Sequence, residues 1–237
     1  MARDLVRVNT NELAPTQPTI GRFEVLLKSD RFKLMGPRAL DGYLEEKRSK
    51  GKAVQVVKGL HRYYVVDGHH TLTAMLAGDA PPELDLDLRA DHSGMGPDAF
   101  WQRMLDDGLV HTRALGAPVE VSQLPSSFDR LVDDPFRSIA WLIRKMGAFE
   151  DLKRPYQEFA VADFLREHMH FAPTRNYEYE IASLRAFELM RSSLAEERAH
   201  ADGRLGFLGG DVDRDTLIDD YYQVLEEARA PRWYRNR

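Results

Sequence analysis

The apolar residues of this chain change their period once, and that change limits the fold more than any other feature of the sequence. From Leu5 to about Leu88, short runs of β-like alternation are interleaved with short helical stretches, whereas after Pro125 the spacing is almost entirely helical. Such a pattern implies an α+β protein: a small mixed sheet with helices in roughly the first 90 residues, then a mostly helical C-terminal part. With 237 residues the chain can hold two small cores, and it divides on this reading into residues 1–120 and 121–237.

Within the first part, Leu5 to Val8 forms a short strand candidate, and Ala14 to Thr19 reads as loop because Pro15 and Pro18 punctuate it. A short helix is expected over Ile20–Asp30, and another after Gly36-Pro37, where proline occupies a favoured first helical position. The clearest β signal follows: Val54 to Val57 and Tyr63 to Val66 make a hairpin, and Leu84 to Leu88 alternates strictly as a further strand. A helical stretch carries Phe100 and Met104, and Asp134-Pro135 opens a helix that Asp134 is placed to cap. Later helices are expected from Pro155, from Tyr177 to Ala199 without interruption, and around Leu217 to Leu225.

Charge and cysteine content narrow the chemistry. Acidic residues outnumber basic ones 38 to 33, a formal charge of −5, whereas duplex DNA binding is normally driven by a basic excess. There is no cysteine, which removes disulfides, thiolate catalysis and cysteine-ligated metals. The opening residues lack the apolar stretch of a secretory signal and no run approaches a membrane span, so a soluble cytoplasmic protein is expected.

The segment Asp67-Gly68-His69-His70-Thr71 runs from the end of a strand into the start of a helix. Backbone N–H groups without intrahelical partners and the helix dipole make such a junction attractive to phosphate. Gly68 would let an anion approach the backbone, His69 and His70 would offer N–H donors, and Thr71 a hydroxyl. A pocket-facing His69 would contribute to binding and little to folding. The plainer alternative is that Asp67 and Thr71 cap the helix while the histidines face water. A metal site is disfavoured, because adjacent histidines on a regular element point to different sides. Glu24 is a candidate general base, with a surface ion pair to Lys28 at i+4 as its alternative. Lys28, Arg137 and Arg144 could bring charge to phosphates, and Arg137 could equally pair with Asp133 or Asp134. The C-terminal Arg229 to Arg237 mixes arginines with aromatics, as single-strand nucleic-acid binders do, though a tail docked on its own domain is commoner.

Asp-Gly-His-His after a hairpin strand resembles the ParB/sulfiredoxin superfamily. The opening Leu13 to Gly21 with Glu24-Val25 and Lys28 is similar to the ParB-like nuclease family, as are Asp133 to Trp141 with Arg144, and Tyr156 to Phe159 with Ala162 to Phe164. The resemblance covers about residues 5–170 and implies a ParB/sulfiredoxin-like, nucleotide-binding first domain. Sulfiredoxin chemistry needs a catalytic cysteine that this chain lacks. The arginine-rich box of the partition proteins is replaced here at His69 and His70. Nucleotide-dependent kinases of free serine carry Asp-Gly-His-Thr-Arg, which this chain matches at Asp67, Gly68 and His69 and leaves at His70 and Thr71. The resemblance thus implies a phosphotransferase that uses ATP or ADP with Mg2+ and a small hydroxyl-bearing acceptor. In it Asp67, His69 and Glu24 would be catalytic, and Gly68, His69, His70, Thr71, Lys28 and Arg144 would hold the nucleotide. A ParB-like DNA-binding protein or nuclease is the alternative.

Overall fold

The computed structural model describes residues 4–78, 81–152, 156–210 and 213–229. The chain forms two compact units, one of residues 1–20 and 28–132, the other of residues 21–27 and 133–237.

The first unit is built on a mixed sheet. Strands β1 (Asp4–Asn9), β2 (Leu13–Pro15) and β3 (Thr19–Ile20) precede helix α1 (Arg22–Lys33), whose first turns belong to the second unit. There follow α2 (Pro37–Ser49), the hairpin of β4 (Gln55–Lys58) and β5 (Tyr63–Asp67), helix α3 (His69–Leu76), strand β6 (Glu83–Asp91) and helix α4 (Pro97–Asp106). The five-stranded sheet has the order β1-β6-β4-β5-β2. The β1/β6 and β4/β5 pairs are antiparallel, and the β6/β4 and β5/β2 pairs parallel. This is the mixed sheet that the alternating runs imply. Val56, Val57 and Val65 are wholly buried because their strands lie in the middle of the sheet. Against one end of it, Val57 packs with Phe100, Met104, Leu109 and Val110.

The stretch from Ala14 to Thr19 is not all loop. Leu13 to Pro15 pairs with Tyr63 to Val65, and the proline is accommodated because β2 is an edge strand with no further neighbour. A small antiparallel hairpin, β7 (Arg113–Ala114) with β8 (Ala117–Pro118), lies near the end of this unit, and β9 (Val132–Asp133) marks the transition to the helical part.

The second unit is organised around α5 (Pro135–Lys145), in which eight consecutive residues, Phe136 to Ile143, are buried. Helices α6 (Gln157–His168), α7 (Glu178–Met190), α8 (Ser193–Asp202) and α9 (Arg214–Arg229) complete it. Asp134 caps α5 as expected, its Oδ1 accepting the Phe136 N–H at 3.2 Å. Burial of side chains the size of Ile139, Leu142 and Ile143, none of which is exposed, stabilises by about 1.5–3 kcal/mol each. Phe23 of α1 stacks on Tyr179 of α7 at a centroid distance of 4.2 Å. Gly21 makes the approach of α1 possible, since a Cβ there would lie 2.6 Å from the Ser138 hydroxyl and 2.7 Å from the Ser138 backbone nitrogen.

The uninterrupted helix expected from Tyr177 to Ala199 is in fact two. Arg191 ends α7, where its guanidinium donates to the Gly147 carbonyl at 2.9 Å and to the Gly209 carbonyl, and Ser192 turns to extended backbone before α8. Pro155 and the arginine-aromatic tail beyond Arg229 lie outside the described residues.

Gly68 sits between β5 and α3 at φ +86°, where an added Cβ would stand 2.9 Å from Val54 Cγ2. Its replacement meets both the left-handed penalty and a close contact with the residue just before β4. Gly68→Ala is expected to destabilise the protein by about 1–3 kcal/mol, measured by urea unfolding.

Candidate functional site

In the first unit, β5 delivers the chain to the Asp67–Thr71 turn. The N-cap of α3 is Gly68, which has no side chain with which to cap the helix. The Leu72 N–H donates to the Gly68 carbonyl at 2.9 Å, so the backbone N–H groups of His69, His70 and Thr71 all lie in the opening turn. Asp67 is exposed, and its Oδ1 accepts the Gly68 N–H at 2.8 Å.

The histidines do not face water. His69 is 7% exposed and His70 9%. His69 Nε2 accepts the backbone N–H of Thr16 at 3.2 Å, which places the ring proton of a neutral His69 on Nδ1. Thr16 is fixed in turn by its hydroxyl, which donates to the Val65 carbonyl at 2.8 Å, and by its own carbonyl, which accepts the His111 N–H at 2.9 Å. The Phe128 ring lies 6.1 Å from the imidazole. The side chain thus ties the buried loop after β2 to the start of α3, and the expectation of a pocket-facing residue with no bearing on folding is corrected: its burial follows from the unsatisfied N–H that Thr16 would otherwise present. Among the other candidates of this unit, Thr71 and Lys28 are half-buried.

Glu24 and Arg144 belong to the second unit, and there the sequence candidates meet a cluster of charge. Glu24 is 2% exposed, so it is not the surface residue of an i+4 pair. It lies on the first turn of α1, where its backbone N–H donates to the Ser138 hydroxyl at 3.5 Å. Arg137, next along α5, is 4% exposed, and its Cζ lies 3.4 Å from the centre of the Phe159 ring. Burial pushes its guanidinium below the usual arginine value, while the charges of Glu158, Glu24 and Asp134 push it back up. Glu158, from the first turn of α6, stands between two arginines: Oε1 is 2.8 Å from Arg144 Nε and Oε2 is 3.7 Å from Arg137 Nη2. Arg137 accordingly forms its ion pair across helices and not within its own turn. Asp134 is taken by Arg166, at 2.7 Å, and the same guanidinium bonds Asp163 at 2.5 Å. Arg166 was not among the sequence candidates; its i+3 spacing from Asp163 was the available signal. Asp133 accepts the Arg22 N–H at 2.9 Å, and burial raises its carboxyl above the usual aspartate range.

A family model described as "Putative ParB-like nuclease" matches residues 6–167. The chain belongs to this family. The match spans the strands of the first unit, the Asp67–Thr71 turn and the Arg137–Glu158 cluster. Among solved structures, the chain is similar to protein Atu1540 from Agrobacterium tumefaciens, with 28% identity, a TM-score of 0.68, and coverage of 88% of this chain and 100% of that one. No curated protein matches. Among the described residues no helix of the ParB-like chain is long and apolar enough to cross a membrane.

The Thr16–His69 bond generates a direct prediction. His69→Ala should lower stability by about 1–3 kcal/mol, because the buried Thr16 N–H loses its acceptor. Urea denaturation of the two proteins measures it, and an unchanged midpoint would mean that this hydrogen bond contributes nothing.

Proposed function

We propose that this ParB-like protein is a nucleotide-dependent phosphotransferase acting on a small hydroxyl-bearing molecule, and that the nucleotide phosphates lie on the Asp67–Thr71 turn. The observation that carries the reading is the start of α3 directly after a left-handed Gly68 at its N-cap. The end of a central strand, a glycine and a helix N-terminus together form a cradle of backbone donors for an anion. His69, buried at its first position, ties the turn to Thr16, and the half-buried Thr71 adds a hydroxyl. ATP or ADP with Mg2+ is the ligand class that suits the reading, the metal arriving with the phosphates. The family's description favours a second reading, a nuclease or DNA-binding protein. The acidic balance of the chain, 38 acids to 33 bases, weighs against that reading.

Thermal unfolding with ATP, ADP or CTP and Mg2+ distinguishes the two. A nucleotide at a hundredfold excess over its Kd should stabilise the native state by about 2.7 kcal/mol, seen as a rise in Tm. Gly68→Val and Thr71→Ala should diminish the rise. Phosphoryl transfer from the bound nucleotide to a hydroxyl-bearing acceptor is followed by 31P NMR. No rise with any nucleotide, together with nanomolar, steeply salt-dependent binding of DNA, would overturn the phosphotransferase in favour of the nucleic-acid reading.

A further inference from the structure

A buried guanidinium normally spends its five N–H groups on acceptors, because an unmet charged donor away from water is costly. Arg137 does not. Among the described residues its Nε and Nη1 are buried and donate to nothing, and Nη2 is 3.7 Å from the nearest carboxylate oxygen, beyond hydrogen-bond reach. One face of the group is closed by Phe159. The carboxylate that does approach, Glu158, is held by Arg144 at 2.8 Å, and Oε1 is not aligned for a hydrogen bond even there. Asp134, which also bears on Arg137, is already engaged by Arg166 at 2.7 Å and by the Phe136 N–H. The second unit therefore holds two arginines around a carboxylate that satisfies neither fully.

We infer that Arg137 and Arg144 form an oxyanion-binding site within the second unit, which the Glu158 carboxylate occupies as an internal stand-in when no ligand is bound. Charge explains why a stand-in is needed. With Glu158 in place, its carboxylate takes the position between Arg137 and Arg144 that an external oxyanion would need. With Glu158 swung out, Arg137 and Arg144 lose the carboxylate between them, and two guanidinium groups are ready for the oxygens of a phosphate or a carboxylate. Glu158 is able to leave: its side chain is 18% exposed and sits in the first turn of α6, whereas Arg137 is fixed in α5 beneath Phe159. The residue before α6, Tyr156, is left-handed at φ +62° without being glycine, a strained start to the helix that carries the latch.

The test follows the Arg137 Nε–H resonance in 15N-edited NMR of the full chain while inorganic phosphate or acetate is added. A saturable shift with either anion is expected, and the stronger of the two identifies the oxyanion preferred. Glu158→Gln removes the competing charge and should tighten that anion roughly tenfold. Arg144→Gln, at a partly exposed position that leaves the core intact, should weaken it by about the same factor. These readouts are specific to the second unit, so nucleotide binding at the α3 turn can fail or succeed independently. An Nε–H that responds to neither anion and exchanges magnetisation only with a buried water, or a Glu158→Gln protein that binds no tighter than the wild type, would overturn the assignment.

Discussion

The second unit depends on a helix that has no side left for water. Helix α5 buries every residue from Phe136 to Ile143, so it must be surrounded, and no single neighbour can do that. Helices α6, α7 and α9 pack on it, and the first turns of α1 approach across Gly21. The same constraint creates the chemistry of the unit. Arg137 lies within the buried run, and its charge has to be met by groups from other elements, Glu158 of α6 and Glu24 of α1. Breaking a buried ion pair by removing one partner costs far more than such a pair gains when intact, so the cluster restricts how α1, α5 and α6 can be arranged within this unit.

The first unit meets a related demand with neutral groups. The loop after β2 is buried from Thr16 to Thr19, and its backbone cannot rely on solvent. His69 accepts the Thr16 N–H, the Val65 carbonyl receives the Thr16 hydroxyl, and Gln17 Nε2 donates to the Thr19 carbonyl at 2.7 Å. Histidine at the first position of α3 therefore has a structural task, and a phosphate on the same turn would be held largely by the backbone. The two roles are compatible, because Nε2 is spent on the loop while a phosphate would meet backbone N–H groups after the Gly68 N-cap.

Much of this was legible along the chain, and the residues show why. The strands over Val54–Val57 and Tyr63–Val66, the Pro37 helix and the Asp134 cap all rest on local rules, namely side-chain alternation, fixed proline φ and a carboxylate reaching its own helix. The break at Arg191 and Ser192 was not legible, because apolar spacing continues through it, and the turn is held by carbonyls of Gly147 and Gly209 that are far away in sequence. Glu24 and His69 were visible as candidates, but their burial was not, since a carboxylate and an imidazole carry no periodic signal of their own surroundings.

By itself the sequence determined the α+β class, the change from sheet to helices, the strand–glycine–helix junction at Gly68 and, through its motifs, membership of the ParB-like family. Those features depend on neighbours within a few positions, where propensity and pattern act directly. Only the tertiary structure decided that residues 21–27 join the C-terminal unit, that His69 bonds the Thr16 backbone, and that Arg137 faces Glu158 and not Asp133 or Asp134. Each of these joins groups separated by tens of residues, and the partner is chosen by which buried donors and charges still need one once the helices and strands have packed.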